Sequence, residues 1–174
     1  MKTIDKAKLS AGTSNKIKKQ LIYDIAINAI DGKPISLLEF KGKKILFVNV
    51  ASECGFTKQY KDLQTLSDTY KNKLVVIGSP CNQFGKQEPG DASKIQEFCE
   101  LNFGITFLLT EKIDVKGSKQ HPLYKWLTSK DLNGKKSSTV KWNFQKYLVD
   151  DKGGLIDYYY SITNPKSSKI SKYL

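Results

Sequence analysis

Two short apolar runs, separated by one amphipathic segment, constrain the fold more than any other feature of the sequence. The runs Lys44 to Val50 and Lys73 to Ile77 are nearly continuous and rich in β-formers, as buried central strands are. Between them, residues 58–71 carry large side chains at steps of three and four, the spacing of an amphipathic helix: Tyr60, Leu63, Leu66 and Tyr70. This alternation predicts an α/β fold in which helices flank a central sheet.

Further strands and helices surround this unit. An Asp31–Gly32 turn, preceded by apolar residues from Ile22 and followed by Ile35 to Phe40, predicts an N-terminal β-hairpin. Asp91 is the predicted N-cap of a helix that ends near Gly104. Other patterns predict strands over 105–109, 112–115, 144–149 and 155–160, and helices over 122–127 and 167–174. The order of elements predicts a mixed sheet.

The first twenty residues differ in character from the rest. They are polar, six of the first nineteen are lysines, and none of them forms the apolar core of a secretory signal. We therefore expect residues 1–20 to be a flexible, lysine-rich leader and residues 21–174 to form a single domain. No apolar run approaches the length of a membrane span, so we expect a cytoplasmic protein without membrane insertion.

The charge of the chain bears on its partners. The net charge is +12, and every basic residue is a lysine because the sequence contains no arginine. Nucleic-acid recognition usually relies on arginine and on a continuous basic stripe, whereas these lysines are scattered along the whole chain. We expect no nucleic-acid partner. A lysine-rich surface, or attraction to an acidic protein partner, accounts for the charge.

Cys54 is the residue best suited to chemistry. It follows the first predicted strand and precedes the helix that begins near Thr57, so its side chain lies at the carboxyl edge of the sheet. Free N–H groups and the positive end of the helix dipole favour a thiolate there, and the thiolate is the nucleophilic form. A buried structural cysteine is the alternative, but the polar neighbours Ser52, Glu53 and Gly55 argue against burial.

The residues around Cys54 exclude some thiol chemistries. A thioredoxin-type dithiol would have a second cysteine at position 57, which is Thr57. A cysteine protease needs a histidine base, and the sole histidine, His121, precedes Pro122 at a predicted helix start, where a capping role or surface exposure is favoured. Three cysteines do not make a secreted disulfide framework, and we expect no metal site. A thiol enzyme with a single nucleophile remains.

Three motifs resemble those of one enzyme family. Residues 49–57 read Asn-Val-Ala-Ser-Glu-Cys-Gly-Phe-Thr, residues 80–90 read Pro-Cys-Asn-Gln-Phe-Gly-Lys-Gln-Glu-Pro-Gly, and residues 142–144 read Trp-Asn-Phe. The first is similar to the active-site motif of glutathione peroxidases in their cysteine-containing form, and the other two agree with it. The similarity extends from Ile22 to Leu174. It implies a thioredoxin-like fold, reduction of hydrogen peroxide and organic hydroperoxides, and no cofactor.

The resemblance also implies a catalytic tetrad, in which Cys54 is the peroxidatic nucleophile and is surrounded by Gln87, Trp142 and Asn143. The two amides and the indole N–H can donate hydrogen bonds to the sulfur and to the oxygen that leaves the peroxide. Taken singly, these three residues are typical of a loop amide, a packed core aromatic and a turn residue. Their combination with Cys54 favours the catalytic interpretation.

A sulfenic acid formed at Cys54 condenses with a second thiol. The resemblance implies that Cys99 is the resolving cysteine, since thioredoxin-dependent members of the family carry one at this helix position. Its apolar helix face is also typical of an ordinary core cysteine. Cys81 is the lesser candidate. Because Cys99 lies mid-helix, we expect residues 95–101 to unwind after Cys54 is oxidised.

The sequence also bears on the reductant and on the oligomeric state. Cys99 favours thioredoxin, and so does the absence of arginine, since glutathione-using relatives gather basic residues around the tripeptide. Glutathione is the alternative reductant. A non-enzymatic thiol sensor or relay would use the same cysteines. The short stretch 128–140 resembles the monomeric branch of the family, so we expect a monomer.

Overall fold

A computed structural model of the chain describes residues 20–174. All but the last residue of the predicted leader 1–20 lies outside the described residues. The strands are β1 (Ile27–Asn28), β2 (Pro34–Ile35), β3 (Lys44–Val50), β4 (Leu74–Pro80), β5 (Leu108–Leu109), β6 (Lys146–Val149) and β7 (Leu155–Tyr159). The helices are α1 (Gln59–Thr69), α2 (Ala92–Phe103), α3 (Pro122–Thr128), α4 (Lys130–Asn133) and α5 (Ser168–Ser171).

Five strands form one mixed sheet in the order β5-β4-β3-β6-β7. β3 and β5 both pair in parallel with β4, whereas β6 and β7 add to the other edge of β3 in antiparallel fashion. β1 and β2 form a separate antiparallel hairpin. The predicted α/β fold, with a mixed sheet and an N-terminal hairpin, is confirmed.

The sheet separates two apolar cores. Along β3, Ile45 and Phe47 face the core that the hairpin and α3 cover, while Leu46 and Val48 face the core beneath α1 and α2. All four side chains are fully buried, which explains why this run shows no alternation of polar and apolar residues. The core beneath α1 and α2 also contains Cys54 and Cys99, so both thiols lie on the same face of the sheet.

The helix that carries Cys99 has the predicted ends. The Asp91 side chain accepts a hydrogen bond from the Lys94 N–H at 3.0 Å, as an N-cap does. Gly104 ends α2 in the left-handed conformation, with φ of 59°, and its N–H bonds back to the last turn. The cap residues therefore predicted both boundaries of α2.

The predicted strand 112–115 is wrong. The N–H groups of Val115 and Lys116 donate to Gln83 Oε1, at 2.7 and 3.1 Å. A glutamine side chain in the loop after β4 thus takes hydrogen bonds that a neighbouring strand would otherwise make. The apolar pattern of a segment does not reveal such a distant side-chain partner.

Other boundaries differ in length. The second arm of the hairpin is only two residues long, because Leu37–Phe40 turns into a 3₁₀ helix. The strand predicted over 105–109 is confined to β5, and the terminal helix predicted over 167–174 to α5. Helix α4 was not predicted; it ends at Gly134, which has φ of 69°.

Candidate active site

Cys54 lies in the turn between β3 and α1, and Thr57 holds that turn in place. Thr57 Oγ1 accepts the Cys54 N–H at 3.0 Å and donates to the Ala51 carbonyl at 2.8 Å. The Thr57 N–H donates to the Cys54 carbonyl at 3.0 Å. The residue at the position of a second thiol in dithiol enzymes therefore fixes the conformation of the nucleophile's turn.

The prediction that Cys54 escapes burial is wrong. Cys54 is 9% exposed, whereas its neighbours Glu53 and Gly55 are exposed. The turn directs its polar neighbours outward and the cysteine toward the core beneath α1 and α2. The Phe56 N–H donates to Cys54 Sγ at 3.4 Å, so a backbone donor just before α1 faces the sulfur.

Gln87 and Asn143 contact each other directly. Asn143 Nδ2 donates to Gln87 Oε1 at 2.9 Å, which leaves the Gln87 amide N–H groups to donate elsewhere. The Gln87 carbonyl accepts the Glu53 N–H at 3.0 Å, so the loop that carries Gln87 is tied to the Cys54 turn. Asn143 is fully buried, and its Oδ1 has no hydrogen-bond partner among residues 20–174. The structure thus brings these two amides together with the Cys54 turn.

Trp142 is the most exposed of the four predicted site residues, at 38%. Its ring lies against Phe84 in the same loop as Gln87, with ring centroids 5.7 Å apart. Lys116 Nζ lies over the Phe84 ring, 4.4 Å from its centroid. Trp142 is therefore not a core residue: its partly exposed indole packs against Phe84 in the loop that follows β4.

Asn49 supports the segment around Trp142 and Asn143, a role that the sequence motif did not predict. This fully buried residue of β3 donates from Nδ2 to the Trp142 carbonyl at 3.0 Å, and its Oδ1 accepts the Gln145 N–H at 3.2 Å. Its carbonyl accepts the Phe144 N–H at 2.6 Å, where the Phe144 backbone has φ of 62°. Asn49 therefore holds the turn that presents Trp142 and Asn143. An asparagine within a buried apolar strand was the available signal.

Lys146 is a second residue that the sequence reasoning missed. Its side chain is fully buried, and its ammonium donates to Gln59 Oε1 and to the carbonyls of Ser161 (3.2 Å) and Thr163 (2.7 Å). Burial lowers its pKa from 10.5 to about 7. The Ser161 hydroxyl donates in turn to the Asn143 carbonyl at 2.5 Å, so this network reaches the candidate site.

The surroundings of Cys99 favour the protonated form of its thiol. The residue is fully buried in α2, and burial raises the pKa of its thiol to about 11. The Tyr60 hydroxyl lowers that pKa, while the charges of Glu88 and Glu100 raise it. Tyr60 lies beside Cys99 but is too poorly placed for an ordinary hydrogen bond, since its hydroxyl has no partner among the described residues.

Cys81 and His121 have other positions. Cys81 is fully buried in the core beneath the hairpin and α3, on the opposite face of the sheet from Cys54. His121 caps α3: its Nδ1 accepts the Leu123 N–H at 3.1 Å, and burial lowers its pKa. Of the two predicted alternatives for His121, capping and surface exposure, the structure shows capping.

Among residues 20–174, no group of three or more His, Cys, Asp or Glu could hold a metal ion. None of the helices there is long and apolar enough to cross a membrane.

The sequences of known proteins decide the family. Residues 22–128 match the family model described as glutathione peroxidase. The chain belongs to the glutathione peroxidase family. A hydroperoxy fatty acid reductase of Synechocystis sp. is 46% identical over 152 residues, covering 83% of this chain and 89% of that protein. A glutathione peroxidase-like peroxiredoxin of Saccharomyces cerevisiae is 49% identical over 146 residues, covering 83% and 90%.

Solved structures agree with this assignment. The apo form of Trgpx has a TM-score of 0.69 and 35% identity, covering 88% of this chain and 95% of that one. A thioredoxin-family thiol:disulfide interchange protein from Chlorobium tepidum has a TM-score of 0.61 at 14% identity, covering 86% and 92%. The predicted thioredoxin-like fold is confirmed. This glutathione peroxidase family member is an oxidoreductase, a thiol peroxidase that reduces hydroperoxides, as the motifs predicted.

Proposed function

We propose that Cys54 is the peroxidatic nucleophile and that Gln87, Trp142 and Asn143 assist it. The Cys54 thiolate attacks one peroxide oxygen, the O–O bond breaks, and the other oxygen takes a proton and leaves as water or an alcohol. Cys54 becomes a sulfenic acid. The observation that carries this assignment is the hydrogen-bonded series Asn143–Gln87–Glu53, which sets two neutral amides beside the Cys54 turn. Neutral donors can stabilise the leaving oxyanion without adding charge.

Cys99 is the proposed resolving cysteine. Its thiol attacks the sulfenic sulfur of Cys54, a disulfide forms, and the sulfenic oxygen leaves as water. Cys99 shares the core beneath α1 and α2 with Cys54, whereas Cys81 lies across the sheet, which supports Cys99 over Cys81. All three cysteines are free thiols. The unwinding of residues 95–101 remains part of this proposal, because α2 is intact when the thiols are reduced.

Thioredoxin is the proposed reductant of that disulfide. The peroxiredoxin name of the yeast relative and the absence of arginine from this chain support a protein thiol over glutathione. The name of the Synechocystis relative supports fatty-acid hydroperoxides among the substrates.

A coupled assay of NADPH consumption tests the choice of reductant. With peroxide present, thioredoxin and its reductase should sustain turnover at least tenfold faster than glutathione and its reductase. Faster turnover with glutathione would reverse the assignment. Oxidation of Cys54 without sustained turnover in either system would instead favour a thiol sensor or relay.

The assembly and the location are also proposed. A monomer is supported by the short connection from Thr128 to Val140, which holds only the four-residue helix α4. A cytoplasmic location is supported by the three free thiols, since reducing compartments keep cysteines in that form. Residues 21–174 are the proposed catalytic domain, with residues 1–20 as its leader.

A further inference from the structure

The resolving step requires a proton acceptor. The thiolate is the form that attacks a sulfenic sulfur, yet burial raises the pKa of the Cys99 thiol to about 11, so the thiol is protonated near neutral pH. The oxygen that leaves Cys54 needs a proton to become water. A group that takes the proton from one sulfur and returns it at the other would serve both needs.

Glu88 has the required position in the chain. It directly follows Gln87, whose carbonyl is bonded to the Glu53 N–H of the Cys54 turn. Its own N–H donates to Asn82 Oδ1 at 2.9 Å, which fixes the backbone at this point. The two adjacent side chains have different surroundings: Gln87 contacts Asn143, whereas Glu88 lines a cavity together with Ile95 and Phe98 of the helix that carries Cys99.

The carboxyl group of Glu88 is buried and forms no ion pair with any of residues 20–174. The residue is 1% exposed, and its Oε2 has no hydrogen-bond partner within the part of the chain that the structure describes. A buried carboxyl without a countercharge is costly to retain for packing alone. A cavity of about 330 Å³ lies beside it, and its lining includes Ser52 and Glu53 of the Cys54 turn and Ile95 and Phe98 of α2.

We propose that Glu88 is the proton acceptor for Cys99 in the resolving step, which rests on the proposed role of Cys99. As α2 opens, the Glu88 carboxylate takes the Cys99 thiol proton. The thiolate attacks the Cys54 sulfenic sulfur, the S–O bond breaks, and Glu88 returns the proton to the leaving oxygen as water. One S–S bond and one water molecule form from the sulfenic acid and the thiol, so no further oxidant or reductant is needed.

The surroundings of Glu88 set its protonation. Burial is the largest influence and raises its pKa; Ser52 and the positive charge of Lys112 lower it, and Glu53 raises it. A carboxyl whose pKa is raised toward neutrality is better matched to proton transfer at that pH. The other titratable groups that face this cluster or line its cavity are Tyr60, Lys94, Cys99 and, from the exposed side of α2, Glu100.

Single-turnover kinetics of Glu88→Gln test the proposal. The fully reduced enzyme is mixed with one equivalent of hydrogen peroxide, quenched with an alkylating reagent, and the sulfenic and disulfide forms are separated by mass. Formation of the disulfide should slow by about 10²-fold near neutral pH, the scale of general acid–base catalysis. Glu100→Gln is the matched control, because it removes a carboxylate that also raises the pKa of Cys99 but is exposed to solvent. It should leave the rate within twofold.

The sign of the effect separates the alternatives. If Glu88 acted only through its charge, its removal would lower the pKa of Cys99 and speed the step, so an unchanged or faster rate in Glu88→Gln overturns the proposal. The wild-type rate should level off above the pKa of Glu88, whereas the variant's rate should keep rising with pH as Cys99 ionises unaided. A merely structural role would slow the step equally at every pH, and that profile also overturns the proposal.

Two further variants keep the test decisive. Glu88→Asp retains the carboxyl group on a shorter side chain, so it should recover part of the rate of disulfide formation and the levelling of that rate with pH. If Glu88→Gln does not fold, wild-type disulfide formation in Glu88→Asp contradicts the proposed role. Cys99→Ser tests the underlying function separately. Normal thioredoxin-dependent turnover in Cys99→Ser removes the resolving role itself, whereas loss of turnover there with normal Glu88→Gln kinetics removes only Glu88.

Discussion

The Cys54 turn and the helix that carries Cys99 lie on the same face of the sheet but are held in different ways. At the turn, Thr57 uses its hydroxyl as both donor and acceptor, and Asn49 fixes the segment that bears Asn143. Cys99 is held by packing within α2 instead, and the hydroxyl of Tyr60 beside it has no hydrogen-bond partner among residues 20–174. Cavities of about 550 and 330 Å³ lie against α2.

This difference matches the two proposed steps. Peroxide reduction depends on donors that are already in place when charge develops, so a hydrogen-bonded turn suits it. Disulfide formation depends on an element that can leave its native position, and openings of that kind come from weakly held regions. The proposed nucleophile thus lies in a hydrogen-bonded turn, whereas the proposed resolving cysteine lies in a helix that is flanked by two cavities.

The largest expected effect comes from removing the proposed nucleophile in the Cys54 turn. Cys54→Ser should abolish peroxide-dependent NADPH consumption, because a serine hydroxyl is not ionised near neutral pH. Cys81→Ser, on the opposite face of the sheet, should retain turnover and serves as the control. Turnover in Cys54→Ser would remove this residue from the mechanism.

Cys99→Ser should separate the two regions. Stopped-flow oxidation of Cys54 by peroxide should proceed, because the turn and its donors are unchanged, while thioredoxin-dependent turnover should fall to background. The enzyme should accumulate as the Cys54 sulfenic acid, which a sulfenic-specific reagent detects by mass. An immediate disulfide between Cys54 and Cys81 in this variant would contradict the placement of the thiols in separate cores.

Removing a donor from the turn should have a smaller effect, confined to the first step. Asn143→Ala or Gln87→Ala should each slow Cys54 oxidation by roughly 10²-fold, the scale of one lost oxyanion donor. Asn102→Ala removes an exposed amide from α2 and should leave that rate unchanged. Wild-type oxidation rates in both site variants would show that the amides do not act electrostatically.

Alkaline pH should loosen α2 before it affects β3. The folded pKa of Cys99, about 11, lies above its ordinary value of 9.0, so the buried thiol stabilises the closed helix fully below pH 9 and loses this effect as pH rises through 11. The free energy of opening should fall across that window by at most about 1.4 kcal/mol per pH unit. Hydrogen exchange of α2 amides, corrected for their intrinsic rates, measures it, and Cys99→Ser should remove the dependence.

A second pH dependence concerns Lys146, whose hydrogen-bond network reaches the Asn143 carbonyl. Its folded pKa of about 7 lies below the ordinary 10.5, so the unfolded chain binds more protons between these values. This residue should therefore make the free energy of unfolding rise with pH across that window, by at most about 1.4 kcal/mol per pH unit. Denaturant titrations should show a shallower rise in Lys146→Met, and no change in the exposed Lys135→Met. Equal slopes in Lys146→Met and wild type would mean that the ammonium remains charged.

Local sequence patterns predicted much of the fold. The run that forms β3 was identified over its full length because it is buried on both faces, and α2 because Asp91 and Gly104 are chemically suited to its two ends. The motifs predicted the amides that meet beside Cys54. These features depend on residues that are neighbours along the chain or that belong to one of the three sequence motifs.

What the sequence did not reveal depends on distant partners. The burial of Cys54 follows from how α1 and α2 cover the sheet, and the roles of Asn49 and Lys146 come from hydrogen bonds to segments far along the chain. The Val115 N–H, in the segment wrongly predicted as a strand, likewise donates to the distant Gln83 side chain. None of these contacts leaves a periodic signal in the sequence.

The presence of a threonine instead of a second cysteine at position 57 also bears on over-oxidation of Cys54. With Thr57 in place of a neighbouring thiol, the proposed Cys54 sulfenic acid has no partner within its own turn and waits until α2 opens. During that interval a second peroxide molecule can carry the sulfur on to sulfinic acid, a form that thioredoxin does not restore. Under the proposed mechanism, the stability of α2 sets the peroxide dose that the enzyme survives: a more stable helix lengthens the wait and makes permanent inactivation more frequent.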